Sequence, residues 1–171
     1  MMDGNRIRAF LSSAGDCLLS LEPGILKCGY AVGACSGAAS RSLGVARAPR
    51  GSSPAAAAAL FAHVAFSLAR THGAGGFIVG SPGDDVAGGA AARHVCAALS
   101  TAPAQLPILP WDERGSTVAA RAMMRDAAAV ARVANGRARG PRRALPRDAP
   151  VDGVAAAVIL DSFLVSARGL K

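Results

Sequence analysis

The feature that most constrains this chain is the order of its short apolar runs. Three strand-like segments come in succession, and then helices and strands alternate. Cys17 to Glu22 is an apolar run closed by Pro23-Gly24, which reads as a buried strand and a turn. Residues 27–35 read as a second strand, with glycine where backbone must pass closely, and 41–47 as a third. Short connections between them predict an antiparallel meander. Ser53-Pro54 then opens an alanine-rich helix to about Arg70, in which Leu60, Phe61, Val64 and Leu68 recur at helical spacing and which Gly75-Gly76 breaks. A strand over 77–80, a helix over 88–99 and a strand over 106–110 follow. A helix capped by Ser116 or Thr117 runs to about Val133, and a last helix runs from about Val151 to Ala167. A meander followed by βαβαβ predicts an α/β fold: one mixed five-stranded sheet flanked by helices. Residues 1–15 read as a weakly ordered, flexible lead-in to a single domain over 16–168.

Charge narrows the class of partner. Nineteen basic residues against 11 acidic ones give a net charge of +8, which favours phosphate-rich partners. The excess is concentrated: between 131 and 150 lie Arg132, Arg137, Arg139, Arg142, Arg143 and Arg147 with one acid, Asp148, among Gly and Pro. A basic loop of that length beside Asp152 reads as a phosphate-binding arm, the plainer reading being a solvated loop. The four cysteines form no C-x-x-C pair and no zinc-finger spacing with histidine, and three lie in apolar runs, which favours a reducing compartment. The longest apolar runs are too short or too interrupted to span a bilayer, so no membrane partner is expected. The first residues make a poor secretory signal or transit peptide; the expected location is the cytoplasm, with the chloroplast or mitochondrial matrix as the alternative.

Three acids fall where ligands gather in α/β sheets, outside the carboxyl ends of strands. Glu22 closes the first strand, Asp112-Glu113 follow the last one, and Asp152 starts the last helix. From Asp152, the apolar positions Ala155, Ala156, Ile159 and Phe163 share one face, so the acid should point along it towards the sheet. Taken singly, each acid has a plainer role: Asp152 complements a helix dipole, and Glu22 is a strand-end surface acid. As a set, converging carboxylates need a cation between them, and Mg²⁺ or Mn²⁺ suits oxygen ligands.

The same segments resemble the YqgF-type, Holliday-junction-resolvase-like family, implicated in maturing pre-16S ribosomal RNA. Leu21-Glu-Pro-Gly-Ile-Leu-Lys-Cys-Gly-Tyr-Ala-Val32 is similar to its D-x-G-x-x-x-I-G-V-A-V hairpin. Phe77-Ile-Val-Gly-Ser-Pro82 resembles its V-G-L-P strand and turn, Trp111-Asp-Glu-Arg-Gly-Ser-Thr117 its D-E-R-x-S-T signature, and Val151 to Leu160 its final D-x-x-A-A-x-x-I-L helix. The resemblance implies a ribonuclease H-like fold and a metal-dependent endonuclease in which Glu22, Glu113 and Asp152 are catalytic and hold the metal. It implies nucleic-acid contacts for Arg114, and with the basic segments for Lys27, Arg137, Arg139, Arg142 and Arg143. Structured RNA is the expected substrate ahead of branched DNA, with a ribosome or other ribonucleoprotein as assembly partner. The chain departs from the pattern at its first strand: Glu22 stands for Asp, Ile25 for Thr and Leu26-Lys27 for Lys-Arg. One methylene moves a carboxylate by roughly 1.5 Å. The alternative is therefore a catalytically degenerate member kept as an RNA-binding or assembly subunit.

Overall fold

The computed structural model describes residues 4–36, 40–82, 87–112, 117–125 and 151–169. The elements are α1 (Gly4–Ala14), β1 (Cys17–Pro23), β2 (Lys27–Ala34), β3 (Arg41–Arg47), α2 (Pro54–His72), β4 (Gly76–Ser81), α3 (Ala87–Ser100), β5 (Ile108–Asp112), a helical stretch α4 over 117–125, and α5 (Val151–Arg168). The sheet order is β3-β2-β1-β4-β5. β1 pairs antiparallel with β2, and β2 with β3; β4 runs parallel to β1, and β5 parallel to β4. The expected meander followed by a parallel βαβαβ unit is what the chain forms.

Strand alternation splits the core into two layers. Leu19, Leu21, Cys28, Tyr30, Phe77 and Val79 face α2 and α3, whereas Leu18, Ile78 and Leu109 face α5 and α1. Ser20, buried within the apolar β1, lies on the α5 side and donates to the Ala156 carbonyl at 2.6 Å, which fixes α5 against the sheet. A buried hydroxyl without that partner would cost about 1–3 kcal/mol. The Phe163 ring meets Phe10 and Trp111 edge-on at centroid distances of 5.9 and 5.3 Å.

Four local readings change. The expected weakly ordered lead-in is helical over Gly4–Ala14, with Ile7, Phe10 and Ala14 buried on one face. Three large apolar side chains in 11 residues make a faint periodic signal, but Ile7 and Phe10 each contribute roughly 1.5–3 kcal/mol once tertiary contacts bury them. On α2 the inward face is Ala57, Ala58, Phe61, Ala62, Ala65 and Ala69, while Leu60, Val64 and Leu68 are only partly buried beside it. Small side chains let α2 lie close to its neighbours, and the larger residues seal the margins.

The helix stop also lies elsewhere. Gly73, at φ 68°, caps α2 by donating its N–H to Ala69, and Gly75-Gly76 instead make room for the end of α1: a Cβ on Gly75 would meet the Ala14 carbonyl oxygen. β5 begins two residues later than expected because the Pro107 carbonyl accepts from Phe77 before the parallel ladder starts at Ile108. Pro110 is tolerated in β5 because that strand is an edge. Among the described residues no helix is long and apolar enough to cross a membrane.

Candidate active site

Because β1, β4 and β5 run parallel, their carboxyl ends emerge at one edge of the sheet. Glu22 lies at that end of β1, on the α5 side with Leu18 and Ser20, and is 8% exposed. A carboxylate this far from water needs hydrogen-bonding partners. Thr117, at the start of α4, supplies one: its hydroxyl donates to Glu22 Oε1 at 2.7 Å. That bond ties the start of α4 to the end of β1. The signature threonine, expected to cap a helix, thus spends its hydroxyl on an acid 95 residues away in sequence.

Asp152 reaches the same place through a glycine. Gly29 on β2 is the cross-strand partner of Glu22. A Cβ on Gly29 would collide with the backbone carbonyl of Asp152 and stand 2.7 Å from the Gly153 nitrogen. The bare backbone of Gly29 therefore seats the first turn of α5 directly beside Glu22. The buried Cys28 next to it registers both acids. Its thiol is pushed up to about 12, chiefly by burial, with the negative charges of Glu22 and Asp152 adding to the rise and a hydrogen bond with Tyr30 offsetting part of it.

A cation already sits on Asp152. Lys27 Nζ lies 2.7 Å from Asp152 Oδ2 and 2.9 Å from Oδ1, with the two side chains 47% and 14% exposed. A pair this open to water stabilises the fold by about 1 kcal/mol or less. Lys27, expected to contact nucleic acid, stands in the structure as the counter-ion of Asp152. Across the β2–β3 ladder its direct neighbour is Arg47, which is exposed.

The structure thus brings together Glu22, Asp152 and Lys27. Glu113 and Arg114 lie outside the described residues, as do Arg137, Arg139, Arg142, Arg143 and the rest of the 131–150 loop. Asp112, immediately before Glu113 in the chain, ends β5 at the same edge, in register with Ser81. Among the described residues no group of three or more His, Cys, Asp or Glu side chains gathers as a metal cage. The donors present are two carboxylates, hard oxygen ligands of which Asp152 already attracts a positive charge, and this donor set fits Mg²⁺ or Mn²⁺ better than a soft metal. Sequence reasoning missed the Thr117–Glu22 bond, for which no local signal exists. The part played by Gly29 was signalled by a glycine inside an apolar strand.

The fold is shared with known structures. Thermus thermophilus RuvC in complex with a Holliday junction substrate superimposes with a TM-score of 0.52 at 17% identity, covering 89% of this chain and 96% of that one. A second structure of Thermus thermophilus RuvC gives the same score and identity, with 90% and 97% covered. The mixed sheet flanked by helices is thus the ribonuclease H-like fold. No curated protein sequence matches the chain. The family model described as RuvX, Holliday junction resolvase, matches residues 16–166. That match covers all four sequence blocks and bears out the resemblance drawn from them, so the chain belongs to the RuvX family of Holliday-junction-resolvase-like nucleases.

Proposed function

We propose that this protein is a metal-dependent endonuclease that hydrolyses phosphodiester bonds in structured nucleic acid, with structured RNA of a ribosomal precursor as its substrate. The observation that carries this reading is that the first turn of α5, with Asp152, packs on Gly29, the cross-strand partner of Glu22, at the carboxyl edge where β1, β4 and β5 end. Glu22 and Asp152, with Glu113 assigned from the family pattern, hold Mg²⁺ or Mn²⁺. Bound there, a divalent ion would supply Lewis acidity and water activation for phosphodiester hydrolysis. Thr117 holds Glu22 in one orientation through its 2.7 Å bond, so the acid is preset. The basic groups, Arg114 and the arginines of the 131–150 loop, bind the backbone phosphates on either side of the scissile bond.

The test is cleavage of a labelled RNA hairpin and a labelled four-way DNA junction with and without Mg²⁺ or Mn²⁺. Metal-dependent cutting that disappears in Glu22→Gln, Glu113→Gln and Asp152→Asn supports the proposal, and preference for the hairpin supports RNA as substrate. Equal cutting by wild type and variants would sink it.

One observation favours the degenerate, RNA-binding reading. Position 25, where the family often carries a hydroxyl, is an isoleucine 66% exposed in the turn between β1 and β2. That reading predicts salt-sensitive RNA binding without cleavage, and activity that emerges on Glu22→Asp. The Thr117 bond weighs against it, because the longer Glu22 side chain is already met by a partner at ideal distance.

A further inference from the structure

We propose that Lys27 is the site's resident counter-cation, which surrenders Asp152 when a divalent ion binds and then, together with Arg47, clamps a backbone phosphate of the substrate. The inference rests on the nuclease reading and assigns a second state to its site. In the structure Lys27 Nζ touches both Asp152 oxygens, at 2.7 and 2.9 Å, and so takes up the carboxylate a metal would use. Any divalent ion must compete with this ammonium, and a positive charge left within a few ångströms would repel it. Lys27 has room to leave: its side chain is about half exposed at the start of β2.

Where it would go follows from the register. Lys27 is directly opposite Arg47 on the edge strand β3. Directly opposed like charges destabilise a sheet, with Cβ atoms about 4.5–5.5 Å apart. Asp152 offsets that cost while Lys27 is bound to it. Arg47 itself makes no ion pair among the described residues. Once Lys27 is released, two cations face each other beside the metal site with no acid between them, and a phosphodiester oxygen pair is the anion of matching charge and size. Metal and nucleic acid should therefore bind with positive coupling, each favouring the state in which Lys27 has left Asp152.

The test has two arms on the full chain. In the first, Mn²⁺ affinity is measured by calorimetry for wild type, Lys27→Met and Asp152→Asn. Lys27→Met should bind Mn²⁺ about two- to fivefold more tightly, the weight of a half-exposed ion pair. An unchanged or weaker affinity overturns the proposal while leaving the metal site standing. Absence of any Mn²⁺ binding that Asp152→Asn removes overturns the nuclease reading, and this inference with it. In the second arm, binding of a labelled RNA hairpin is measured with and without Ca²⁺. Wild type should gain about fivefold or more from the ion, and Lys27→Met and Arg47→Gln should each lose that gain. Arg47→Gln should also flatten the salt dependence by about one phosphate contact. Retention of the full gain by both variants overturns the clamp.

Discussion

Replacing Gly29 by alanine is the sharpest perturbation of the site that leaves every charged and polar side chain in place. The added Cβ would stand 2.7 Å from the Gly153 nitrogen and closer still to the carbonyl of Asp152, whereas ordinary contact begins at 3.4 Å. The first turn of α5 must therefore withdraw by the difference, about 0.7 Å at the nitrogen and more at the carbonyl, or β2 must buckle. Backbone cannot rotate aside as a side-chain tip can. Overpacking of this kind costs about 1–3 kcal/mol. For a domain of this size that corresponds to about 2–12 °C in Tm. Asp152 moves with its helix, and a misplacement of about 1 Å at a reacting geometry costs on the order of 100-fold in rate. The assay pairs a thermal melt with metal-dependent cleavage. Gly33→Ala, on the same strand, is the control: its Cβ meets the Ser40 hydroxyl at 2.8 Å and a Leu160 methyl at 3.2 Å, both side-chain ends that can turn away. Gly29→Ala should lose more stability than Gly33→Ala and nearly all cleavage. A Gly29→Ala protein that melts within about 1 °C of wild type and cuts at the wild-type rate would refute the argument.

Other outcomes follow from the same structure. Thr117→Val keeps the shape but removes the donor to Glu22 Oε1, and should lower stability by about 1.5–3 kcal/mol in urea unfolding, the worth of a bond to a charged group. Stability should also fall in alkali. The folded Cys28 thiol holds its proton to about 12 against 9.0 ordinarily, so the unfolded chain releases protons first, and stability complete below pH 9 is lost as pH rises towards 12. Burial raises Tyr30 in the same direction, and Cys28→Ala melts compared at pH 8 and 11 would isolate the thiol's share. Changing Arg142 and Arg143 to Gln should weaken RNA binding and shallow its slope against log salt by about 0.7–0.9 per lost phosphate contact.

The strand and helix order was legible because it rests on short-range patterns. Short apolar runs, the Pro23-Gly24 turn and a Ser-Pro helix start act within a few residues, and the strands at 17–22, 27–35 and 41–47 followed from the runs. Burial in a tertiary context was less legible. α1 has too few large apolar residues to announce itself, and it is held by Phe163 and the glycines at 75 and 76, all distant in sequence. On α2 the largest residues drew attention, yet alanines face the core because close approach of the helix favours small side chains. At the site, family blocks pointed to Glu22 and Asp152, but only the β1–β2 register reveals that a glycine unites them. Lys27 read as a nucleic-acid contact from its place in the family hairpin and its charge; its pairing with Asp152 spans 125 residues and leaves no trace in local sequence.

The central claim is that Glu22 and Asp152 form one divalent-metal site. A crystal structure of the protein soaked in Mn²⁺, with anomalous data collected at the metal edge, tests it directly. The expected result is an anomalous peak coordinated by carboxylate oxygens of both Glu22 and Asp152, with Lys27 turned away from Asp152. A Mn²⁺-soaked crystal with no peak between those two acids, and Lys27 still bound to Asp152, would contradict it.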